Sequence, residues 1–269
     1  MNQFQRTDEW HKQRVGKITG SRVPAILGQN RYASRDDVLR EMVRSYYGAE
    51  LEFTGNVATE WGNKWEPVCL EQFELATGYF VVQSGLIPHP AINYFACSPD
   101  GLIDDDAGVE LKCPLQRDPR EVVQDKQYHS QVFFSMIVSN RKRWYLYAWH
   151  PEKGHAWEIF EWDAALAWWA ENVGALQIFY SEYLDTINDE DKFNVMLEPL
   201  VADMEDDQQW KRMAERYRRL KLERDEIDRQ LQQAKEGLLA LSDGKKSRGA
   251  GILVYPHKTS SGKVNWVIK

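Results

Sequence analysis

Hydrophobic positions recur at helical spacing in several stretches of the chain, and between them the period shortens to two. Residues 35–47, RDDVLREMVRSYY, put Val38, Met42, Val43 and Tyr46 on one helix face. Residues 57–77 repeat the pattern, and Pro67 predicts a break, with one helix from about 57 and a second after the proline, ending before Gly78. Upstream, TDEWHKQ begins as an acidic helix start. Ser21 is expected to cap a short helix through Ile26 and Leu27, with Pro24 in its first turn and Gly28 closing it. From Tyr79 the texture changes. YFVVQSGLIPH, YFACSPDGLID and GVELKCP are short, rich in β-branched and aromatic residues, and bounded by Gly, Pro and Asp, so each reads as a strand. The run DDDAG joins the last two and predicts a β-hairpin over 94–113. An amphipathic helix over about 119–138, the strands RWYLYAWHP and AWEIFEWD, and a helix over 163–185 follow. This order predicts an α/β fold with a central mixed sheet flanked by helices.

Beyond residue 206 a different rule applies. Trp210, Met213, Tyr217, Leu220, Arg224, Ile227, Leu231, Ala234, Leu238 and Leu241 are spaced alternately three and four apart, a heptad stripe in which only Arg224 is polar. The tail, GAGILVYPHKTSSGKVNWVIK, reads as a hairpin around TSSGK that needs something to pack on. The expected organisation is a core over 1–200, a long heptad-patterned helix over 201–241 and a β-hairpin appendage over 242–269.

Composition narrows the class. At 269 residues and 43% hydrophobic, the chain has material for one large core plus an appendage. The eleven tryptophans, Trp168 and Trp169 among them, are read as core rather than as platforms for stacked bases. No apolar run reaches the roughly 18 residues of a membrane span, and MNQFQRTDEW lacks the apolar segment of a signal peptide. Cys69, Cys97 and Cys113 form no CxxC pair, which argues against a zinc ribbon, a disulfide framework or an iron–sulfur cluster. A reduced, cytoplasmic protein is expected. The net charge of −7 speaks weakly against nucleic acid, but Lys and Arg exceed Asp and Glu over 1–45, 211–235 and 243–269. GKKSRGAG lacks the order of a phosphate-binding P-loop.

Candidate chemistry lies in ACSPDGLIDDDAGVELKC, residues 96–113. Alternation along a strand sends Glu110 and Lys112 to one face and Leu111 to the other, and Asp100 lies on the other arm of the predicted hairpin. Two adjacent carboxylates repel unless a hard divalent cation joins them, and oxygen ligands suit Mg²⁺ or Mn²⁺. A nearby lysine orients water and offsets developing negative charge, a set that suits phosphodiester hydrolysis. A salt bridge from Lys112 to either acid accounts for the same residues without any catalysis.

Five blocks, in order over roughly residues 10–150, carry a more specific likeness: WHKQRVGKITGS, EWGNKWE, ACSPDGL, GVELKCP and YHSQVFFSMIVS. Together they resemble the phage lambda exonuclease family, the YqaJ-type viral recombinase branch of the PD-(D/E)xK nucleases. The resemblance implies a restriction-endonuclease-like core and a Mg²⁺-dependent 5′-to-3′ exonuclease on linear double-stranded DNA. It implies nucleoside 5′-monophosphates as products and a 3′ single strand left for a single-strand annealing recombinase partner. A homo-oligomer and a phage or prophage origin in a bacterial host go with it. By motif, Asp100 and Glu110 would bind metal with the Leu111 backbone carbonyl, Glu66 would add a helix-borne acid, and Lys112 would position water. Arg14, Ser21, Ser98 and Gln131 match the family's site for the terminal 5′-phosphate. Arg14 offers a forked donor, and Ser21 is expected at a helix N-terminus, where anions are favoured. Residues 201–269 lie beyond this resemblance, so a ring assembly does not transfer simply. Arg31 and Arg35 compete for the role of an additional DNA contact. An endonuclease of the same superfamily and an inactive DNA-binding or assembly module are the competing readings.

Overall fold

The computed structural model describes residues 7–51, 55–199, 204, 206–258 and 264–269. The chain divides into two units, Met1–Leu200 and Val201–Lys269.

The first unit opens with α1 (Asp8–Gln13), capped by Thr7, whose hydroxyl accepts from the Trp10 N–H. Strand β1 (Ile18–Thr19) and α2 (Val23–Ile26) follow. Ser21 does not cap α2. Arg22 holds the cap position without a side-chain bond, and Ser21 Oγ instead accepts from the Arg14 guanidinium at 3.1 Å. A charged donor outcompetes a backbone N–H of a four-residue helix. Helix α3 (Arg35–Tyr47) begins with a Ser34–Asp37 capping box and ends on Gly48 in the left-handed region.

Helix α4 (Val57–Thr77) runs unbroken through Pro67, contrary to the predicted break. The proline removes one backbone donor, while fully buried Cys69 and Phe73 pin the following turns onto the sheet. Next come β2 (Ile87–Pro88), β3 (Phe95–Cys97), β4 (Gly101–Ile103) and β5 (Ala107–Lys112). The hairpin is shorter than 94–113: only β4 and β5 form it. Strand β3 belongs to a separate sheet, ordered β1-β3-β2, because Ile18 and Thr19 pair with Phe95 and Ala96. The chain therefore leaves one sheet at Cys97 and enters the other at Gly101, with Ser98, Pro99 and Asp100 as the link. At Gly101 an added Cβ would come within 2.0 Å of Val81 Cγ1, so this close approach admits only glycine.

Two helices, α5 (Pro119–Val123) and α6 (Lys126–Ser139), replace the single one predicted over 119–138. Asp125 makes the break. Its carboxylate caps α6 through the Gln127 N–H and pairs with Arg31 at 2.7 Å and Arg117 at 2.8 Å. Strands β6 (Arg143–His150) and β7 (Gly154–Glu161), then α7 (Trp162–Ile187) and α8 (Glu190–Leu197), complete the unit.

The larger sheet runs β4-β5-β6-β7, with β5 and β6 parallel and the other pairs antiparallel. Val109, Leu111, Tyr145 and Tyr147 pack on Cys69 and Phe73 of α4 on one face. Trp144, Leu146 and Ala148 pack on α5 and α6 on the other. A third core gathers Ile18, Phe95, Phe134, Leu176 and Phe179 between the smaller sheet and α3, α6 and α7. Trp168 is buried there, its indole N–H donating to Ser130, in keeping with a structural role. The fold is thus α/β, with mixed sheets flanked by helices.

The second unit holds α9 (Gln208–Ser242), 35 residues long and capped by Asp207. It continues into β8 (Ser247–Gly249), β9 (Ile252–Lys258) and β10 (Val264–Ile268), an antiparallel sheet ordered β10-β9-β8. The expected turn TSSGK lies outside the described residues. Among the described residues no helix is long and apolar enough to cross a membrane.

Candidate active site

The site begins with a difference in strand length. Strand β4 pairs only with residues 107–109 of β5, whereas β6 pairs with all of 107–112. The last half of β5 therefore has one edge not taken by a strand. On that edge the Leu111 N–H donates to Asp100 Oδ2 at 2.7 Å. In an extended strand the N–H and C=O of one residue leave on the same side, so the Leu111 carbonyl opens towards Asp100 as well.

Alternation sends the neighbouring side chains to the α6 face. Glu110 is 3% exposed, and its Oε1 accepts from Lys112 Nζ at 2.6 Å and from Gln131 Nε2. Lys112 Nζ also donates to Gln131 Oε1 at 3.3 Å, and lies 4.9 Å from the centre of the Tyr128 ring. Gln131 thus ties the acid and the ammonium together from α6. Burial, then the charge of Glu110, push the Asp100 carboxyl well above the usual carboxylate range, against the pull of Lys112. Burial works against the Lys112 ammonium, but Glu110 and Asp100 prevail and hold it above the usual lysine range.

Glu66 comes from α4 on the opposite face. It lines, with Leu111, Lys112, Tyr128, Asn63 and Arg117, a cleft of about 660 Å³, and its charge adds to the upward push on Asp100. Among the described residues no three His, Cys, Asp or Glu side chains converge into a ready metal cage. The donors present are two mutually repelling carboxylates and an edge carbonyl. That all-oxygen set fits Mg²⁺, which takes one or two carboxylates and keeps several waters.

A second cluster lies at the N-terminal end. The Arg14 guanidinium donates to Thr19 Oγ1 at 2.9 Å, Ser21 Oγ at 3.1 Å and Ser98 Oγ at 3.5 Å. It stacks 4.3 Å over the Trp10 ring, and the Trp10 indole N–H donates to Ser98 at 3.2 Å. Burial and the neighbouring Arg22 push Arg14 down to about 10, so it keeps its charge at neutral pH. Arg22, itself bonded to the Lys17 carbonyl and to Glu41, clamps the loop that carries Arg14.

Of the four residues expected to take a phosphate, Arg14, Ser21 and Ser98 come together. Gln131 instead bonds to Glu110 and Lys112. The two groups are neighbours all the same. Ser98 is two residues from Asp100 on one link, and at Gly20 an added Cβ would lie 2.9 Å from Ser135 Oγ and 3.4 Å from Gln131. The loop around Ser21 therefore lies flush against α6. Arg31 pairs with Asp125 and Arg35 with Glu182. Sequence reasoning missed Trp10, Thr19 and Tyr128. The Trp10–Arg14 spacing of four on a helix was a usable signal; Thr19 and Tyr128 gain their roles only through tertiary contacts.

Residues 9–142 match the YqaJ-like viral recombinase domain. Among solved structures, the chain is similar to an alkaline exonuclease, LHK-Exo, from Laribacter hongkongensis. The two share 28% identity at a TM-score of 0.60, over 71% of this chain and 100% of that one. A phage-related exonuclease from Haemophilus somnus has the same fold, with 14% identity and a TM-score of 0.51 over 63% of this chain and 95% of that one. An uncharacterized protein of Acanthamoeba polyphaga mimivirus is 25% identical over 125 residues, 42% of this chain and 22% of that protein. The matched stretch therefore spans about a fifth of that relative's length.

Proposed function

As a member, over residues 9–142, of the YqaJ-like viral recombinase family, this chain acts, we propose, as a divalent-metal-dependent exonuclease on linear double-stranded DNA. It removes nucleoside 5′-monophosphates from the 5′ end and leaves a 3′ single strand. Asp100, Glu110 and the Leu111 carbonyl would hold Mg²⁺, or Mn²⁺ in its place, with Glu66 in the adjoining cleft wall. The ion, when bound, supplies Lewis acidity at the scissile phosphate.

The chain's own groups do the rest. Lys112, kept charged by Glu110 and Asp100, orients the attacking water by donating to its oxygen and offsets the charge that builds on the phosphate. As an ammonium, Lys112 donates to the water, and the water's proton leaves to solvent. Gln131 and the Tyr128 face hold that ammonium in position. Arg14, Thr19, Ser21 and Ser98 receive the terminal 5′-phosphate, the guanidinium through charge-assisted hydrogen bonds.

One observation carries this reading. Ser98, bonded to Arg14, and Asp100, bonded to the β5 edge, belong to one three-residue link. A terminal phosphate held at Arg14 thus presents the next phosphodiester to the carboxylates, which favours attack from an end. The reading includes a single-strand annealing recombinase as partner for the exposed 3′ strand. It also includes a bacterial cytoplasm, in a cell bearing a phage or prophage, as the setting.

The experiment is product analysis on end-labelled linear duplex DNA with Mg²⁺, beside a covalently closed circle. Release of 5′-monophosphates from the 5′ end, with the circle intact, is expected. Linearisation of the circle would replace this reading with an endonuclease, and DNA binding without turnover would replace it with an inactive assembly module.

A further inference from the structure

Helix α9 carries its apolar side chains into solvent. Trp210, Met213, Tyr217, Leu220, Ile227 and Leu231 are between 48% and 68% exposed, although they form one heptad stripe. At about 1.5 Å per residue the 35-residue helix is about 52 Å long, roughly five heptads, more than a coiled coil requires. A stripe of this length in water is the signature of a missing partner.

We propose that α9 pairs antiparallel, over its full length, with α9 of a second copy of this chain. The charges beside the stripe select this arrangement. In the full-overlap antiparallel register, Lys221 faces Asp228 of the second copy, and twofold symmetry makes the attraction occur twice. The remaining flank pairs contain no like charges: Glu223 faces Gln230, Arg216 faces Gly237 and Ala214 faces Lys235. Arg224, the polar member of the stripe, meets Ile227 of the second copy rather than its own counterpart. Its stem packs across the seam while its guanidinium turns out to Asp225 at 2.6 Å and Asp228 at 3.9 Å on its own helix. The bulky Tyr217 meets the small Ala234.

The parallel arrangement and the neighbouring antiparallel registers fail on the same criterion, and slides of two heptads leave much of the stripe uncovered. Parallel pairing sets Arg216 against Lys221, Glu223 against Asp228 and Arg224 against Arg224. Sliding the antiparallel pair by one heptad sets Lys221 against Lys221 in one direction and Asp228 against Asp228 in the other. Like charges at these positions are destabilising.

The test is the mass of the full-length protein in solution, by sedimentation equilibrium over a range of concentrations. Lys221→Glu and Asp228→Lys each bring like charges together at both symmetry-related contacts, and each should halve the assembly mass. The double variant restores opposite charges and should restore the wild-type mass, which also shows that neither single change merely unfolds the helix. Parallel pairing would give the opposite sign for Lys221→Glu, since the new acid would face Arg216 and tighten the assembly. That result, a monomeric wild type, or a mass indifferent to both single substitutions would overturn the proposal.

Discussion

In strand β5, Glu110 is buried and charged; along helix α9, Trp210, Tyr217 and Leu231 are exposed and apolar. Each reverses the usual sorting of side chains, and the two reversals are resolved differently. The strand resolves its own within the chain: Glu110 is satisfied by Lys112 and Gln131, and Asp100 by the Leu111 N–H. The helix has no such resolution along its stripe among the described residues. Buried charge demands hydrogen bonds at fixed angles, so the folded chain has to supply them nearby. Exposed apolar surface is non-directional and is covered by any complementary surface, including another molecule. The difference separates a polar cluster that the chain completes by itself from an apolar surface that it leaves exposed.

The largest effect is expected from neutralising the strand's acids. Asp100→Asn and Glu110→Gln keep shape and most hydrogen bonds, and each should lower the initial rate on end-labelled linear duplex by at least about 100-fold. Unchanged far-ultraviolet circular dichroism would assign the loss to chemistry; rates near wild type would reduce β5 to a structural ion pair. Next in size is the cost of stranding a buried charge. Lys112→Met leaves Glu110 with Gln131 alone and should cost about 3–5 kcal/mol in urea unfolding. Adding Glu110→Gln should recover most of it; a cost that persists would mean the lysine stem, not its charge, holds the strand.

A smaller effect is expected at the second cluster. Arg14→Ala should erase the preference for a 5′-phosphorylated over a 5′-hydroxyl end, a change of about tenfold or more for a charged hydrogen bond, measured by competition between the two substrates. Smallest is the change on the helix. Arg224→Leu completes the apolar stripe and should tighten self-association by up to about tenfold, about 1.4 kcal/mol, in dilution sedimentation. A looser assembly would show that Arg224 is an attractive contact and not a tolerated one.

Much of the first unit was legible from periodicity. The helices over 35–47 and 163–185, and the pairing of GVELKCP with the strand before it, follow from spacings that bury one face. The errors cluster where a tertiary contact overrode a local signal. Pro67 sits inside α4 because Cys69 and Phe73 hold the helix onto the sheet. Asp125 splits the predicted 119–138 helix because it answers to Arg31 and Arg117 as well as to its own cap. Ser21 turns from its helix to Arg14. In the candidate site, the spacing of Glu110 and Lys112 announced a shared face. The grouping of Arg14, Ser21 and Ser98 was legible only through the family resemblance, since those residues are up to 84 positions apart.

What the sequence determined by itself is periodic: which residues share a face of β5, and the heptad stripe of α9 with its flanking charges. Strand and helix geometry repeat over a few residues, so spacing alone suffices for these. Where β4 starts is decided by tertiary contacts instead. By starting opposite Val109, it leaves the far edge of β5 open and turns Asp100 onto the Leu111 N–H. The chain's departure from the smaller sheet at Cys97 sets that starting point. This depends on Ile18 and Thr19 pairing with Phe95 and Ala96 some 77 residues away, and no local pattern encodes so distant a contact.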